Sequence, residues 1–105
     1  MENMKFLVLG CGSIGKRHLR NLLSIGTKPE NIFAVDPRED RIEEIKNLGI
    51  SNFSKDYNNI IQEDKIDAAL ICSPTNLHIK QGIDLAKKNI HLFIEKPLDE
   101  NNENI

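Results

Sequence analysis

A glycine-rich turn near the start of the chain constrains the fold more than any other feature of the sequence. It follows the wholly apolar run Phe6–Leu9, which is typical of a strand buried on both faces of a sheet. Gly10, Gly12 and Gly15 come next, and apolar residues then recur at helical spacing over residues 14–25. A buried strand, a turn with these glycines and an amphipathic helix together predict the opening unit of a parallel α/β sheet.

The rest of the chain continues this alternation of strands and helices. Apolar runs predict strands at 6–9, 31–36, 50–53, 67–72 and 90–94, with helical patterns between them. We therefore predict a Rossmann-type doubly wound parallel α/β sheet of about five strands in the order 3-2-1-4-5, with helices on both faces. The predicted domain spans 1–98, and the acidic and Asn-rich segment 99–105 is predicted to be a frayed tail.

Composition excludes several classes of function. Fourteen basic residues stand against 16 acidic ones, and there is one Tyr and no Trp, so neither a basic stripe nor a base-stacking platform for nucleic acid is expected. The apolar runs are far shorter than the ~20 residues of a membrane span. Cys11 and Cys72 lack the C-x-x-C spacing of redox and metal sites, which favours small buried thiols over a metal. We expect a cytoplasmic protein with no nucleic-acid or membrane partner.

The glycine spacing carries specific chemistry when it lies between a strand and a helix. Gly10 permits the tight turn, Gly12 lets a pyrophosphate approach the backbone, and Gly15 lets the helix pack closely on the strand. Unpaired N–H groups at the start of the helix, around Ser13 and Ile14, would bind the anion. These five residues are the predicted phosphate contacts. The alternative is a glycine-rich turn that binds no ligand.

An acid follows the second predicted strand at the spacing that ribose recognition requires. Asp36 lies about 20 residues beyond Gly15, where a carboxylate accepts hydrogen bonds from the adenosine ribose of NAD and repels the 2′-phosphate of NADP. Arg38 could hold that phosphate or stack on adenine, so NAD is the predicted cofactor and NADP stays an alternative. Asp36 could also cap a helix that begins at Pro37, and the two roles are compatible.

The loop after the fourth predicted strand should lie beside the glycine turn. In the order 3-2-1-4-5, the ligand crevice lies between strands 1 and 4. The predicted cofactor contacts of this loop are Cys72, Ser73, Pro74, Asn76 and His78. His78 could equally be a histidine on the exposed face of a helix.

The last suggestive stretch is Glu95-Lys96-Pro97, directly after the fifth predicted strand. Alone it reads as a solvated pair of charges at a strand end. All four stretches, however, follow strands, and the carboxyl ends of parallel strands form the ligand side of an open sheet.

Together these motifs resemble the N-terminal half of the Gfo/Idh/MocA oxidoreductases. The resemblance rests on Gly10-x-Gly12-x-x-Gly15-x-x-His18, Ser73-Pro74-x-Asn76-x-His78 and Glu95-Lys96-Pro97, and it covers nearly the whole chain. It implies that Lys96 is catalytic and donates a hydrogen bond or proton to the reacting oxygen beside the nicotinamide. It also implies that Glu95 borders the nicotinamide ribose, that His78 flanks the cofactor, and that His18 packs on the first helix.

The resemblance further implies an NAD(P)-dependent hydride transfer at a hydroxyl or carbonyl carbon of a sugar, cyclitol or related small molecule. Members of the family carry a second α/β domain that forms the substrate pocket and often a homo-oligomer interface. We therefore expect this chain alone to bind cofactor and to turn over little or nothing. A non-catalytic nucleotide-binding module is the first alternative. A methyltransferase is the second, but it leaves Glu95-Lys96-Pro97 unexplained.

Overall fold

The computed structural model describes residues 4–63, 65–73 and 75–94. Within these residues, five strands alternate with four helices, as the sequence predicts. The strands are β1 (Phe6–Leu9), β2 (Ile32–Val35), β3 (Asn52–Ser54), β4 (Ala68–Ile71) and β5 (His91–Ile94). The helices are α1 (Ser13–Ser24), α2 (Glu39–Asn47), α3 (Tyr57–Glu63) and α4 (Thr75–Ala86), with a short 3-10 turn at Pro29–Asn31. The tail predicted at 99–105 lies outside the described residues.

All strand pairs are parallel, and the order β3-β2-β1-β4-β5 confirms the prediction. Strand β1 is central, because Phe6 pairs with Ile32 on one side and with Ala68 on the other. Beside this register, the backbone N–H of Lys5 donates a 2.8 Å hydrogen bond to Oδ2 of Asp67. Strands β1, β2 and β4 consequently end at one edge of the sheet.

The central strand separates two apolar cores, which confirms a doubly wound sheet. Phe6 and Val8 belong to the cluster that includes α1 and α2, whereas Leu7 and Leu9 belong to the cluster that includes α3 and α4. Each fully buried aliphatic side chain contributes about 1.5–3 kcal/mol relative to an exposed one. The wholly apolar sequence of β1 therefore follows from its two buried faces.

Two elements, α2 and β3, begin two residues later than predicted, and the other strand bounds differ from the predictions by at most one residue. Helix α2 begins at Glu39 rather than at Pro37, and its N-cap position is Arg38. The Oδ1 atom of Asp36 accepts the Arg38 N–H at 2.9 Å, and this contact closes a bend before the helix. Strand β3 begins at Asn52 rather than at residue 50, because the N–H of Ile50 still donates to a carbonyl of α2.

In the parts of the chain that are described, no helix is both long enough and apolar enough to cross a membrane.

Candidate functional site

The candidate site lies at the edge of the sheet where β1, β2 and β4 end. The parallel ladder continues one residue past these strands. The N–H of Gly10 donates to the Val35 carbonyl at 2.8 Å, and the N–H of Cys72 donates to the Leu9 carbonyl at 2.7 Å. The glycine turn and the predicted loop after β4 are therefore neighbours, as the strand order predicts.

Two glycines of the turn leave no space for any other residue. Gly10 has a φ of +88°, and a Cβ atom there would lie 2.7 Å from the backbone nitrogen of Ser73. A Cβ atom on Gly15 would overlap the carbonyl oxygen of Gly10. These contacts show that the turn packs directly against the loop after β4 and that α1 packs directly against the turn. They agree with the roles predicted for both glycines.

The N-terminus of α1 has the features of an anion site. Its N-cap residue, Gly12, has no side chain to accept the free N–H groups of the first turn, and that turn contains no acidic residue. Ser13 is exposed and Ile14 is partly exposed at this helix end. The helix dipole and the N–H groups of the first turn therefore supply the positive charge and the donors that bind an anion such as a phosphate.

Asp36 lies buried beside this turn, with only 1% of its surface exposed. Its Oδ2 atom accepts the backbone N–H of Cys11 at 2.8 Å and the Nη1 of Arg41 at 3.2 Å, while Oδ1 accepts the N–H of Arg38. Three donors satisfy a carboxylate that burial alone would destabilise strongly. Asp36 is thus at the predicted place, and it also holds the glycine turn to the end of β2. It does not cap α2, since no side chain accepts at that helix start.

Two arginines follow Asp36, and the one nearer the glycine turn was not predicted. The guanidinium of Arg38 is 58% exposed and forms two hydrogen bonds with Asp40, at 3.1 and 2.7 Å. The side chain of Arg41 is 32% exposed, and its Nη2 lies 3.4 Å from where a Cβ on Gly12 would stand. The signal in the sequence was the position of Arg41 in the first turn of α2, because helix side chains lean back towards the N-terminus.

The two cysteines do not form a disulfide, and Cys11 is fully buried. Burial, and next the charge of Asp36, raise the pKa of Cys11 to about 12, and its Sγ lies 3.6 Å from the Val35 carbonyl oxygen. Cys11 is therefore a small buried thiol, as the sequence suggested, and Cys72 is half-buried. Among the described residues, no group of His, Cys, Asp and Glu side chains is arranged to hold a metal ion.

The remaining predicted contacts are only partly described. The hydroxyl of Ser73 hydrogen-bonds to Oε1 of Gln81, which ties the loop after β4 to α4. Asn76 and His78 lie in the N-terminal part of α4, at the same edge of the sheet. The other predicted contacts, Pro74, Glu95 and Lys96, lie outside the described residues.

Comparisons with known proteins agree with this geometry. A family model described as an oxidoreductase family with an NAD-binding Rossmann fold, named Gfo/Idh/MocA, matches residues 4–105. Myo-inositol 2-dehydrogenase of Thermotoga maritima is 41% identical over 100 residues, which cover 93% of this chain and 29% of that protein. The scyllo-inositol 2-dehydrogenase (NAD(+)) of Bacillus subtilis is 34% identical, over 92% of this chain and 29% of that protein.

A solved structure shows the same arrangement of strands and helices. The myo-inositol 2-dehydrogenase of Lactobacillus plantarum matches with a TM-score of 0.79 and 31% identity, over 95% of this chain and 30% of that one. The chain thus spans less than a third of the length of these relatives. Because the family model covers nearly every residue, the chain belongs to the Gfo/Idh/MocA oxidoreductase family and forms its NAD-binding Rossmann fold.

Proposed function

We propose that the edge of the sheet at Gly12 and Asp36 binds NAD for a hydride transfer at a hydroxyl or carbonyl carbon of a cyclitol or sugar. The observation that carries the proposal is the placement of Asp36 beside an uncapped helix N-terminus, with Gly12 between them. One feature fits a ribose and the other fits a phosphate. The names of the relatives from Thermotoga maritima and Bacillus subtilis support an inositol or a similar polyol as substrate.

The predicted residues of the glycine turn, Asp36, the loop after β4 and Glu95 have roles in this proposal. The N–H groups at the start of α1 bind the pyrophosphate, and Asp36 accepts hydrogen bonds from the adenosine ribose. The cofactor, when bound, supplies the hydride acceptor or donor at its nicotinamide ring. The loop after β4 and Glu95 border the nicotinamide half. This last group of contacts comprises Cys72, Ser73, Pro74, Asn76, His78 and Glu95.

Lys96 is the proposed catalytic residue. Strand β5 ends at Ile94, whose Cα partner is Ile71 at the end of β4, and Lys96 comes two residues later in the sequence. Hydride transfer between a carbinol and a ketone also moves a proton on or off the oxygen. An ammonium group held beside that oxygen can donate the proton, or a hydrogen bond, and its neutral form can take the proton back.

The activity of a whole protein of this kind needs more than these elements. This chain spans 29% of the length of the two curated relatives. We propose that most of the substrate pocket lies in the remainder of such a protein. We propose a homo-oligomeric protein of the cytoplasm without nucleic-acid partners. Its support is the exposed apolar pair Phe93 and Ile94 on edge strand β5, the low cysteine content of the chain and the near-balanced charge.

Isothermal titration of Gly12→Ala against wild type tests the proposed cofactor site. The added methyl group would meet only the flexible end of Arg41, at 3.4 Å, so the fold should survive. It would nevertheless occupy the approach of the pyrophosphate, and we expect NAD and ADP-ribose to bind at least about tenfold more weakly, which corresponds to about 1.4 kcal/mol.

Gly82→Ala in α4 is the matched control, because a Cβ atom there makes only an ordinary contact, 3.9 Å from Leu92. It should leave NAD affinity unchanged. Wild-type binding of S-adenosylmethionine in place of NAD would overturn the proposal in favour of a methyltransferase. Equal NAD affinity in wild type and Gly12→Ala would overturn the placement of the pyrophosphate.

A further inference from the structure

We propose that Arg41, and not the more obvious Arg38, is the residue that sets how far this site discriminates between NAD and NADP. The inference rests on the proposed function, since it assigns a role within that cofactor site. It concerns the adenosine end of the dinucleotide, where the two cofactors differ by one 2′-phosphate.

The position of Arg41 is the first argument. Its guanidinium lies between the proposed ribose contact and the proposed pyrophosphate contact, with Nη1 3.2 Å from Oδ2 of Asp36 and Nη2 over Gly12. A ribose that reaches Asp36 must therefore replace the Arg41 hydrogen bond or share the carboxylate with it. The Cys11 and Arg38 N–H groups can keep their bonds to Asp36, because both belong to the backbone.

The charge balance is the second argument. Asp36 is buried, and alone it would repel a 2′-phosphate strongly, since screening by water is weak there. The guanidinium of Arg41 offsets that charge at contact distance and is itself one-third exposed, so it can turn towards a phosphate. Arginine also presents several N–H donors in a fork that matches phosphate oxygens. Removal of Arg41 would leave the negative charge of Asp36 without a cation at contact distance.

Arg38 provides the contrast. Its guanidinium is exposed and engaged with Asp40, and only its backbone N–H contacts Asp36. Loss of its side chain would therefore change the charge near the ribose position less than loss of Arg41. The two residues form a matched pair, because both are arginines at the start of the same helix and within five positions of Asp36.

The test compares dissociation constants of NAD and NADP, by calorimetry, for wild type, Arg41→Met and Arg38→Met. We expect Arg41→Met to weaken NADP by about tenfold and to change NAD by less than about threefold, because NAD has no 2′-phosphate for Arg41 to contact and gains access to Asp36. Arg38→Met should alter the NAD to NADP ratio by less than about twofold. Arg41→Lys, which keeps the charge, should recover much of the NADP affinity.

Failure of the proposed function and failure of the role of Arg41 give different results. A wild-type chain that binds neither NAD nor ADP-ribose overturns the proposed function, and the inference falls with it. NAD binding with an unchanged ratio in Arg41→Met, a larger change in Arg38→Met, or NADP binding too weak to measure in wild type each overturns the inference alone. If Arg41→Met lowers the thermal midpoint, Arg41→Gln, which can still donate to Asp36, carries the same comparison.

Discussion

The carboxylate of Asp36 accepts the backbone N–H of Cys11 at 2.8 Å, so the residue directly after β2 holds the glycine turn that follows β1. A second backbone bond, from Gly10 to the Val35 carbonyl, joins the same two segments. Asp36, the proposed ribose contact, therefore stabilises the protein as well as the proposed complex. Its substitution should have two measurable effects of different origin.

Asp36→Ala should lower the free energy of unfolding by about 2–3 kcal/mol. The change removes the acceptor of two backbone N–H groups, and a buried donor left without a partner costs about 1–3 kcal/mol. Urea denaturation would measure the loss, and NAD affinity should fall as well. Glu43→Ala, which changes an exposed acid on helix α2, should be near wild type in both measurements. A fully stable Asp36→Ala would contradict the structural role.

Gly15→Ala should be more damaging than Gly12→Ala, although both replace a glycine of the same motif. The new methyl group would overlap the Gly10 carbonyl, and backbone cannot move aside without separating α1 from β1. We expect a loss of about 3 kcal/mol or more, or failure to fold, whereas Gly12→Ala should unfold at nearly the wild-type urea concentration. Equal stability of the two variants would show that α1 packs less closely than the structure has it.

Stability should fall at alkaline pH in a way that depends on Cys11. Burial raises the pKa of this thiol from 9.0 to about 12, so the folded state holds its proton more tightly than the unfolded state does. The contribution is present below pH 9 and is lost progressively as pH rises from about 9 to about 12. Cys11→Ala should therefore lose less stability than wild type between pH 8 and pH 10, as measured by urea denaturation at each pH. Parallel curves would count against a buried, protonated thiol.

Tyr57→Phe should weaken the contact between α3 and α4 without changing the cofactor site. The Tyr57 hydroxyl hydrogen-bonds to the Asp84 carboxylate, which also accepts Nζ of Lys80 at 3.1 Å. We expect the thermal midpoint to fall by about a few degrees and NAD affinity to stay the same. A change in NAD affinity equal to that of Gly12→Ala would mean that this helix pair contributes to binding.

The order of strands and the location of the site followed from local patterns. Apolar runs separated by helical periods determine a parallel sheet, and short crossovers leave few possible orders. Each glycine of the turn was assigned from its spacing, because steric contact at such a turn depends on neighbours close in sequence. Gly10 and Gly15 have the close contacts that this reasoning requires.

Contacts between residues far apart in the sequence could not be predicted in the same way. The bond from Cys11 to Asp36 joins residues 25 positions apart, and no local pattern specifies which donors a buried carboxylate accepts. Spacing also favoured Arg38 as the cation near the ribose, because it is closer in sequence to Asp36. In the structure Arg41 is the nearer cation, because α2 begins at Glu39 and the side chain of Arg41 in its first turn leans back over Gly12.

The central position of β1 in the sheet also determines the order in which its neighbouring strands can pair with it during translation. Its partner β4 lies far along the chain, as shown by the bond between Lys5 and Asp67, which are 62 positions apart. At about 5–20 residues per second, a ribosome needs roughly 3–12 seconds to synthesise that interval. Before β4 is made, β2 is the only one of the two neighbours of β1 that can pair with it, and the other side of β1 is an open apolar edge. The nascent chain therefore passes through a stage with an exposed apolar strand edge, which a chaperone could recognise, before the loop after β4 packs against the glycine turn.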